Sequence, residues 1–281
     1  MNINEIEFAS QLAWPALEEV KLDGGVLRYA EGLTRRSNSM IPSLTAKFCP
    51  KTLISKAEKY YGGKGQAAVV KVLNEKASQQ NFALLDALLE GGCYEKESPT
   101  SVMGLNLRQR LTTSELSSLS QLVQCNNLEW AKAWHSVRQV NAGQLGTYCQ
   151  LLERINGKVC RLLLKKQGQV VATGMAVLQN GSTEEDPLNG SKTSTKQLNE
   201  TRAETVKLGI YGMATAEKFQ GKGCGSGVLS QLLSWGAQQG AGYAYLQVED
   251  SNFHARALYT KFGFEDLYSY WYRVKDCLSH I

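Results

Sequence analysis

The chain has 281 residues, with 31 Lys and Arg against 26 Asp and Glu, a formal net charge of +5. With 43% hydrophobic and 20% charged residues, it has the composition of a soluble globular protein of one large or two ordinary domains, which excludes a disordered or fibrous chain. No apolar run approaches the ~18 residues of a membrane helix, and Glu5 and Glu7 stand where a signal peptide would be basic and then apolar. A cytoplasmic protein with no membrane partner is therefore expected. Seven scattered cysteines without a CxxC pair, and His135, His254 and His280 far apart, suggest neither a disulfide framework nor a metal site. The mild basic excess forms no stripe interleaved with aromatics, so nucleic acid is not an expected partner.

In chain order, residues 14–20 are predicted as a short helix with Pro15 at its first position, Asp23-Gly24-Gly25 as a turn, and 26–30 and 37–41 as short strands. A helix follows over 52–61, with Leu53, Ile54, Ala57, Tyr60 and Tyr61 on one face. Next come a strand over 67–72, a helix carrying Leu84, Leu85, Leu88 and Leu89 that stops at Gly91-Gly92, and a strand over 101–107. The second half begins near Thr113, with helix starts at Thr113-Ser114-Glu115 and at Asn126-Asn127-Leu128-Glu129. Residues 159–164 and 170–177 read as a hairpin turning at Gln167-Gly168-Gln169. Residues 179–205 contain almost nothing apolar and are expected to form a mobile insertion. Beyond them lie a strand over 207–214, a glycine-rich turn, a helix to Gln239, a strand over 244–248, a helix over 252–262 and an aromatic strand over 267–274. The expected division is 1–125 and 126–281. A strand, helix, glycine, aromatic order occurs in both halves, either as a duplication or as a generic strand–helix–strand unit.

The glycine-rich turn carries Gln220, Gly221, Lys222, Gly223, Cys224, Gly225 and Ser226 between a strand end and a helix start. Its glycines let backbone N–H groups converge without Cβ obstruction, and the helix dipole adds positive charge, an arrangement suited to a phosphate. GxxxxGK[ST] is absent, and every GxGxxG frame fails at Ser226 or Val228, so neither the nucleoside-triphosphate loop nor the dinucleotide fingerprint applies.

Gln220-x-x-Gly223-x-Gly225 resembles the [Arg/Gln]-x-x-Gly-x-[Gly/Ala] pyrophosphate loop of the GNAT superfamily of N-acetyltransferases. Asn252-x-x-Ala255-x-x-Leu258-Tyr259-x-x-x-Gly263-Phe264 resembles that family's second motif, and the likeness covers roughly residues 128–274. It implies an α/β (α+β) fold: a mixed, mostly antiparallel sheet with a V-shaped split between two central parallel strands, flanked by helices. The first half would be a smaller, degenerate partner of a tandem member, or an accessory α/β domain. The co-substrate implied is acetyl-coenzyme A, with no metal. Met213, Ala214 and Thr215 would contact its pantetheine arm through their backbones, and residues Gln220 to Ser226 its pyrophosphate. Gln220 where arginine is commoner, and Glu217 where proline is usual, depart from the family pattern.

The resemblance gives Tyr259 the role of general acid, protonated at neutral pH and ready to donate to a leaving thiolate. Its helical spacing with Ala255, Leu258 and Phe262 also suits a buried aromatic. Asn252 would contact pantetheine or simply cap its helix. Glu249 is the chosen base, with Asp250 and Tyr211 as alternatives, while His254 is expected at the surface and Cys224 is not expected to act as a nucleophile. Arg35-Arg36 would reach an acidic substrate or stand as a solvated pair. Tyr268, Tyr270, Trp271 and Tyr272 are expected mainly in core and edge, with a share in an acceptor pocket. The activity implied is direct acetyl transfer to a primary amine of a small molecule or protein. The alternatives are a coenzyme A-binding sensor or interaction module without turnover, and a first half that serves as a homodimer interface.

Overall fold

The computed structural model describes residues 2–74, 81–108, 122–140, 142–179 and 206–276. The chain opens with α1 (Ile3–Ala13), whose Ile6, Ala9, Ser10 and Ala13 bury one side at helical spacing. The helix expected over 14–20 is not formed. Trp14 caps the C-terminus of α1, Pro15 cannot continue it, and the chain enters β1 (Glu18–Leu22). Pro15 is thus a stop signal and not a start. β1 turns at Asp23-Gly24 into β2 (Gly25–Tyr29). The strand expected over 37–41 is displaced, because Arg35–Ser37 form a 3-10 turn capped by Thr34, and β3 (Met40–Pro42) follows. α2 (Pro50–Gly62), β4 (Ala68–Leu73) and α3 (Phe82–Gly91) stand where the sequence places them; β5 (Glu95–Asn106) starts at Glu95 rather than Ser101.

The second half contains β6 (Leu122–Gln124), α4 (Asn127–Arg138), α5 (Leu145–Glu153), β7 (Lys158–Lys166), β8 (Gln169–Gln179), β9 (Lys207–Thr215), α6 (Cys224–Gln238), β10 (Tyr243–Glu249), α7 (Phe253–Lys261) and β11 (Glu265–Lys275). α4 begins with a capping box, in which the Glu129 amide donates to Asn126 Oδ1 at 2.9 Å and the Asn126 amide to Glu129 Oε2 at 3.3 Å. The β7–β8 hairpin turns through Gln167 and Gly168, both at positive φ, as a two-residue turn requires. The helix start at 113–115 and the insertion at 180–205 lie outside the described residues; Gln179 itself closes β8 and is buried.

The described strands form one sheet in the order β1-β2-β3-β4-β11-β5-β10-β9-β8-β7-β6. Antiparallel β1-β2-β3 with β3 parallel to β4 is matched by antiparallel β7-β8-β9 with β9 parallel to β10. The last strands cross over: β5 pairs with β10, β11 with β4, and the two with each other. Each half thereby covers an edge that the other would leave open. One core gathers side chains of α1 to α5 with the aromatics of β9, β10 and β11; a second packs α6 and α7 on Leu208, Ile210, Ala244, Leu246 and Val248.

The exchanged β11 is tied to the first half by Arg273, which donates to Asp86 of α3 at 2.7 and 3.0 Å. Burial works against the Asp86 carboxylate, but hydrogen bonds from Arg273 and Trp271 outweigh it and hold the carboxyl below its usual range. Asp86→Asn leaves the nearly buried Arg273 with only the exposed Glu90, at 3.4 Å, as counter-charge and is expected to cost about 3 kcal/mol. Because the folded-state pKa is depressed, this stabilisation is complete above the unfolded value of ~3.9 and is lost as pH falls through the lowered folded value. Urea denaturation of parent and variant at pH 7 checks it; equal midpoints would contradict it.

Candidate active site

β9 and β10 pair in parallel from Lys207 and Tyr243 to Ile210 and Leu246. Past that point residues 211–215 of β9 pair only with β8, and residues 247–249 of β10 only with β5. The strands therefore part in a V whose apex carries Tyr211 and Gln247. A bulge bends β9 there: the register with β8 shifts between Thr173 and Met175, and Gly212 adopts φ +56°. A Cβ at Gly212 would stand 2.4 Å from the Trp130 ring, whose Nε1 donates to the Gly174 carbonyl at 3.1 Å. Glycine is required at that bend.

At the open end of β9 the chain passes through a 3-10 turn (Glu217–Phe219) and the glycine loop into α6. Gly221 and Gly223 have φ of +69° and +76°, and nothing lies within 4 Å of where their Cβ atoms would be. No side chain caps α6, so the amides of its first turn and the positive end of its dipole face the loop. Gln220 Nε2 donates to the Thr215 carbonyl at 3.3 Å and folds the loop back on β9, while Lys222 is exposed beside it. The Cα–H face of Gly225 is crowded: a Cβ would be 3.3 Å from Thr215 Oγ1 and 3.6 Å from Leu258 Cδ2, so β9, α6 and α7 meet there. Cys224 is buried, leaving only its main chain available to a ligand.

Tyr259 of α7 is 7% exposed and packs edge-on against Phe264 at 6.0 Å. Burial pushes its pKa up to about 12, and its hydroxyl has no hydrogen-bond partner among the described residues. Asn252 Oδ1 accepts from the Ala255 amide at 3.1 Å, which makes Asn252 the cap of α7, and its NH₂ group has no partner among the described residues. Glu249 is exposed at the end of β10. Asp250 is engaged, accepting from Ser101 Oγ at 2.7 Å and pairing with Arg256 at 3.5 Å. His254 is exposed.

The other side of the split holds a cluster of which sequence patterns mark only Tyr211 and the aromatic strand. Tyr211 stacks on Trp14 at 5.8 Å, and its hydroxyl is 3.0 Å from that of Tyr245. Tyr270 donates to Gln247 Oε1 at 3.0 Å. The expectation of a solvated Arg35-Arg36 pair is corrected: Arg35 is ion-paired with Glu97 at 2.6 Å, and Arg36 is half-buried against the rings of Trp14 and Tyr211, at 5.5 and 5.8 Å. The signal for this cluster was the alternation of Tyr268, Tyr270 and Tyr272, which puts three phenols on one face of β11.

The acetyltransferase (GNAT) family model matches residues 123–264. The chain belongs to the GNAT family. A second model, described as the C-terminal region of a probable histone acetyltransferase, matches residues 1–81. An uncharacterized N-acetyltransferase of Bacillus subtilis, YobR, is 23% identical over 276 residues, covering 98% of this chain and 99% of the relative. A GCN5-related N-acetyltransferase from Kribbella flavida superposes with a TM-score of 0.63 at 14% identity, covering 100% of this chain and 98% of the other. A tandem GNAT protein from the clavulanic acid biosynthesis pathway gives 0.55 at 10% identity, covering 80% and 69%. These likenesses fix the GNAT fold, and membership makes the chain an acyltransferase of N-acetyltransferase type. Among the described residues, no group of three or more His, Cys, Asp or Glu is placed to hold a metal.

Proposed function

We propose that this GNAT protein carries an acetyl group from acetyl-coenzyme A directly to a primary amine, with the donor held in the β9–β10 split. The observation that carries this is a coincidence of place: the open end of the split is also where α6 begins, uncapped and glycine-lined. The residues fit such a donor. Gly221 and Gly223 offer unobstructed amides, and along Met213, Ala214 and Thr215 the edge of β9 that faces away from β8 is no longer paired with β10. The main chain from Gln220 to Ser226, with Lys222, would take the pyrophosphate, and the Asn252 NH₂ group would take the arm. Acetyl-coenzyme A supplies an activated acyl group and a thiolate leaving group. Tyr259 holds its proton on Oη throughout the neutral range and gives it up on the α6–α7 side of the sheet. Glu249, which alternates along β10 with Tyr245 and Gln247, takes a proton from the amine on the opposite side.

The first half is read as a degenerate copy of the second. The matching strand order and the exchanged last strands support this, and the segment from Ser43 to Cys49, which leads from β3 into α2, contains no glycine and so no second phosphate loop. Calorimetric titration tests the donor site: coenzyme A should bind about 10²-fold tighter than pantetheine, which lacks the pyrophosphate and its charge-assisted hydrogen bonds. Equal affinities would remove the loop from the site.

A further inference from the structure

We propose that the acceptor is a small primary amine bearing a carboxylate, whose anionic group is received by the Arg36 guanidinium and the hydroxyls of Tyr148 and Tyr272. The inference rests on acetyl transfer at the β9–β10 split and names the class of molecule that receives the group.

The first observation is a cation without a counter-charge. Arg28, Arg35, Arg256 and Arg273 each pair with a carboxylate. Among the described residues Arg36 has neither an ion pair nor a side-chain hydrogen bond. It lies instead beside the stacked rings of Trp14 and Tyr211, and the phenols of Tyr270, Tyr272, Tyr211 and Tyr148 are close enough to feel its charge. Glu7, the buried acid that also acts on Tyr211 and Tyr272, is already committed: its oxygens accept from Lys71 at 2.5 Å and from Tyr268 at 2.8 Å. That pair is neutral overall, so Arg36 leaves the cluster with an excess positive charge. A charge withdrawn from water is stable when an opposite charge and hydrogen bonds meet it.

The second observation is independent. Among the described residues the hydroxyls of Tyr148 and Tyr272 and the Nε2 of Gln247 are buried with no hydrogen-bond partner in reach, although the Tyr270 ring lies 5.5 Å from that of Tyr272. Buried polar groups are satisfied in the great majority of cases, and those left over call for a specific partner. A guanidinium offers donors only, and phenols and an amide nitrogen offer further ones, so the complement is a group that only accepts. A carboxylate is such a group, with about four acceptor positions.

The site is also built. Arg28, almost fully buried, donates to the main-chain carbonyls of Trp14 at 2.8 Å and Arg36 at 2.9 Å, and so fixes the backbone that carries the ring and the cation. Position then limits the acceptor. Arg36 lies one aromatic ring from the apex of the split, because it rests on Tyr211, the first β9 residue past the last β9–β10 pair. The amine and the carboxylate must accordingly be only a few bonds apart. A free amino acid meets this condition. A lysine side chain within a protein does not, since its own carboxyl is consumed in the peptide bond.

Ligand-observed NMR on the whole protein tests this without acetyl-coenzyme A. The probes are the proteinogenic amino acids, β-alanine and γ-aminobutyrate, each beside its carboxamide or decarboxylated amine. At least one carboxylate probe is expected to bind about 10²-fold more tightly than its neutral counterpart, the range of a lost charged hydrogen bond. Arg36→Gln should collapse that ratio towards unity, and Arg36→Lys, which keeps the charge but not the fork, should give an intermediate ratio. Equal binding of charged and neutral probes, no binding by any probe, or a ratio unchanged in Arg36→Gln overturns the proposal, as does acetylation confined to lysine-bearing peptides. The comparison of probes on the parent protein needs no variant to fold. Failure of acetyl-coenzyme A to bind in a parallel titration would instead strike the proposed donor site, so the two failures are told apart.

Discussion

Gly223→Asp is expected to abolish coenzyme A binding while the protein stays folded. At φ +76° a non-glycine residue is strained by ~1–2 kcal/mol, and aspartate is among the residues that tolerate this conformation best. No atom stands within 4 Å of the new Cβ, so the loop has room for it. The new carboxylate, however, would stand where the amides and the dipole of α6 meet the pyrophosphate, replacing attraction with repulsion and blocking the backbone's approach. Gly223→Ala isolates the steric part and should weaken binding less. Calorimetry with circular-dichroism melting reads both effects; an Asp variant that binds as tightly as the parent would place the phosphate elsewhere.

Tyr259→Phe should lower turnover by ~10²–10⁴-fold, the range of a lost general acid. It should leave coenzyme A affinity and melting temperature nearly unchanged. The ring keeps its edge contact with Phe264, and the hydroxyl removed has no hydrogen bond among the described residues to lose. The substitution therefore separates the chemistry from the packing at a position where the helical register suits both. Unchanged turnover of an acceptor that the parent acetylates would reduce Tyr259 to a core aromatic.

Local chemistry made much of this molecule readable. The capping box at Asn126 and Glu129, the Gln167-Gly168 turn and the glycines after β9 act through their own or neighbouring backbone, so residue types and spacing suffice. Pro15 misled because the same ring suits the first turn of a helix and the residue after its end; only the unrecognised α1 before it decides between the two. The exchange of β5 and β11 has no local signature, since a strand's alternation is the same whichever neighbour it pairs with. The proposed donor side rests on contiguous motifs. The opposite side does not, because Trp14, Arg36, Tyr148, Tyr211 and Tyr272 are brought together by long-range packing on five different elements, and Arg36 read alone is indistinguishable from a solvated charge.

Direct acetyl transfer to an amine at the β9–β10 split ties thiol release to acetylation of that amine. The parent protein, mixed with acetyl-coenzyme A and an amine panel, should release free thiol and acetylated amine in equal amounts, and release no thiol when the amine is omitted. Tight binding of acetyl-coenzyme A with no thiol release over any amine would contradict it.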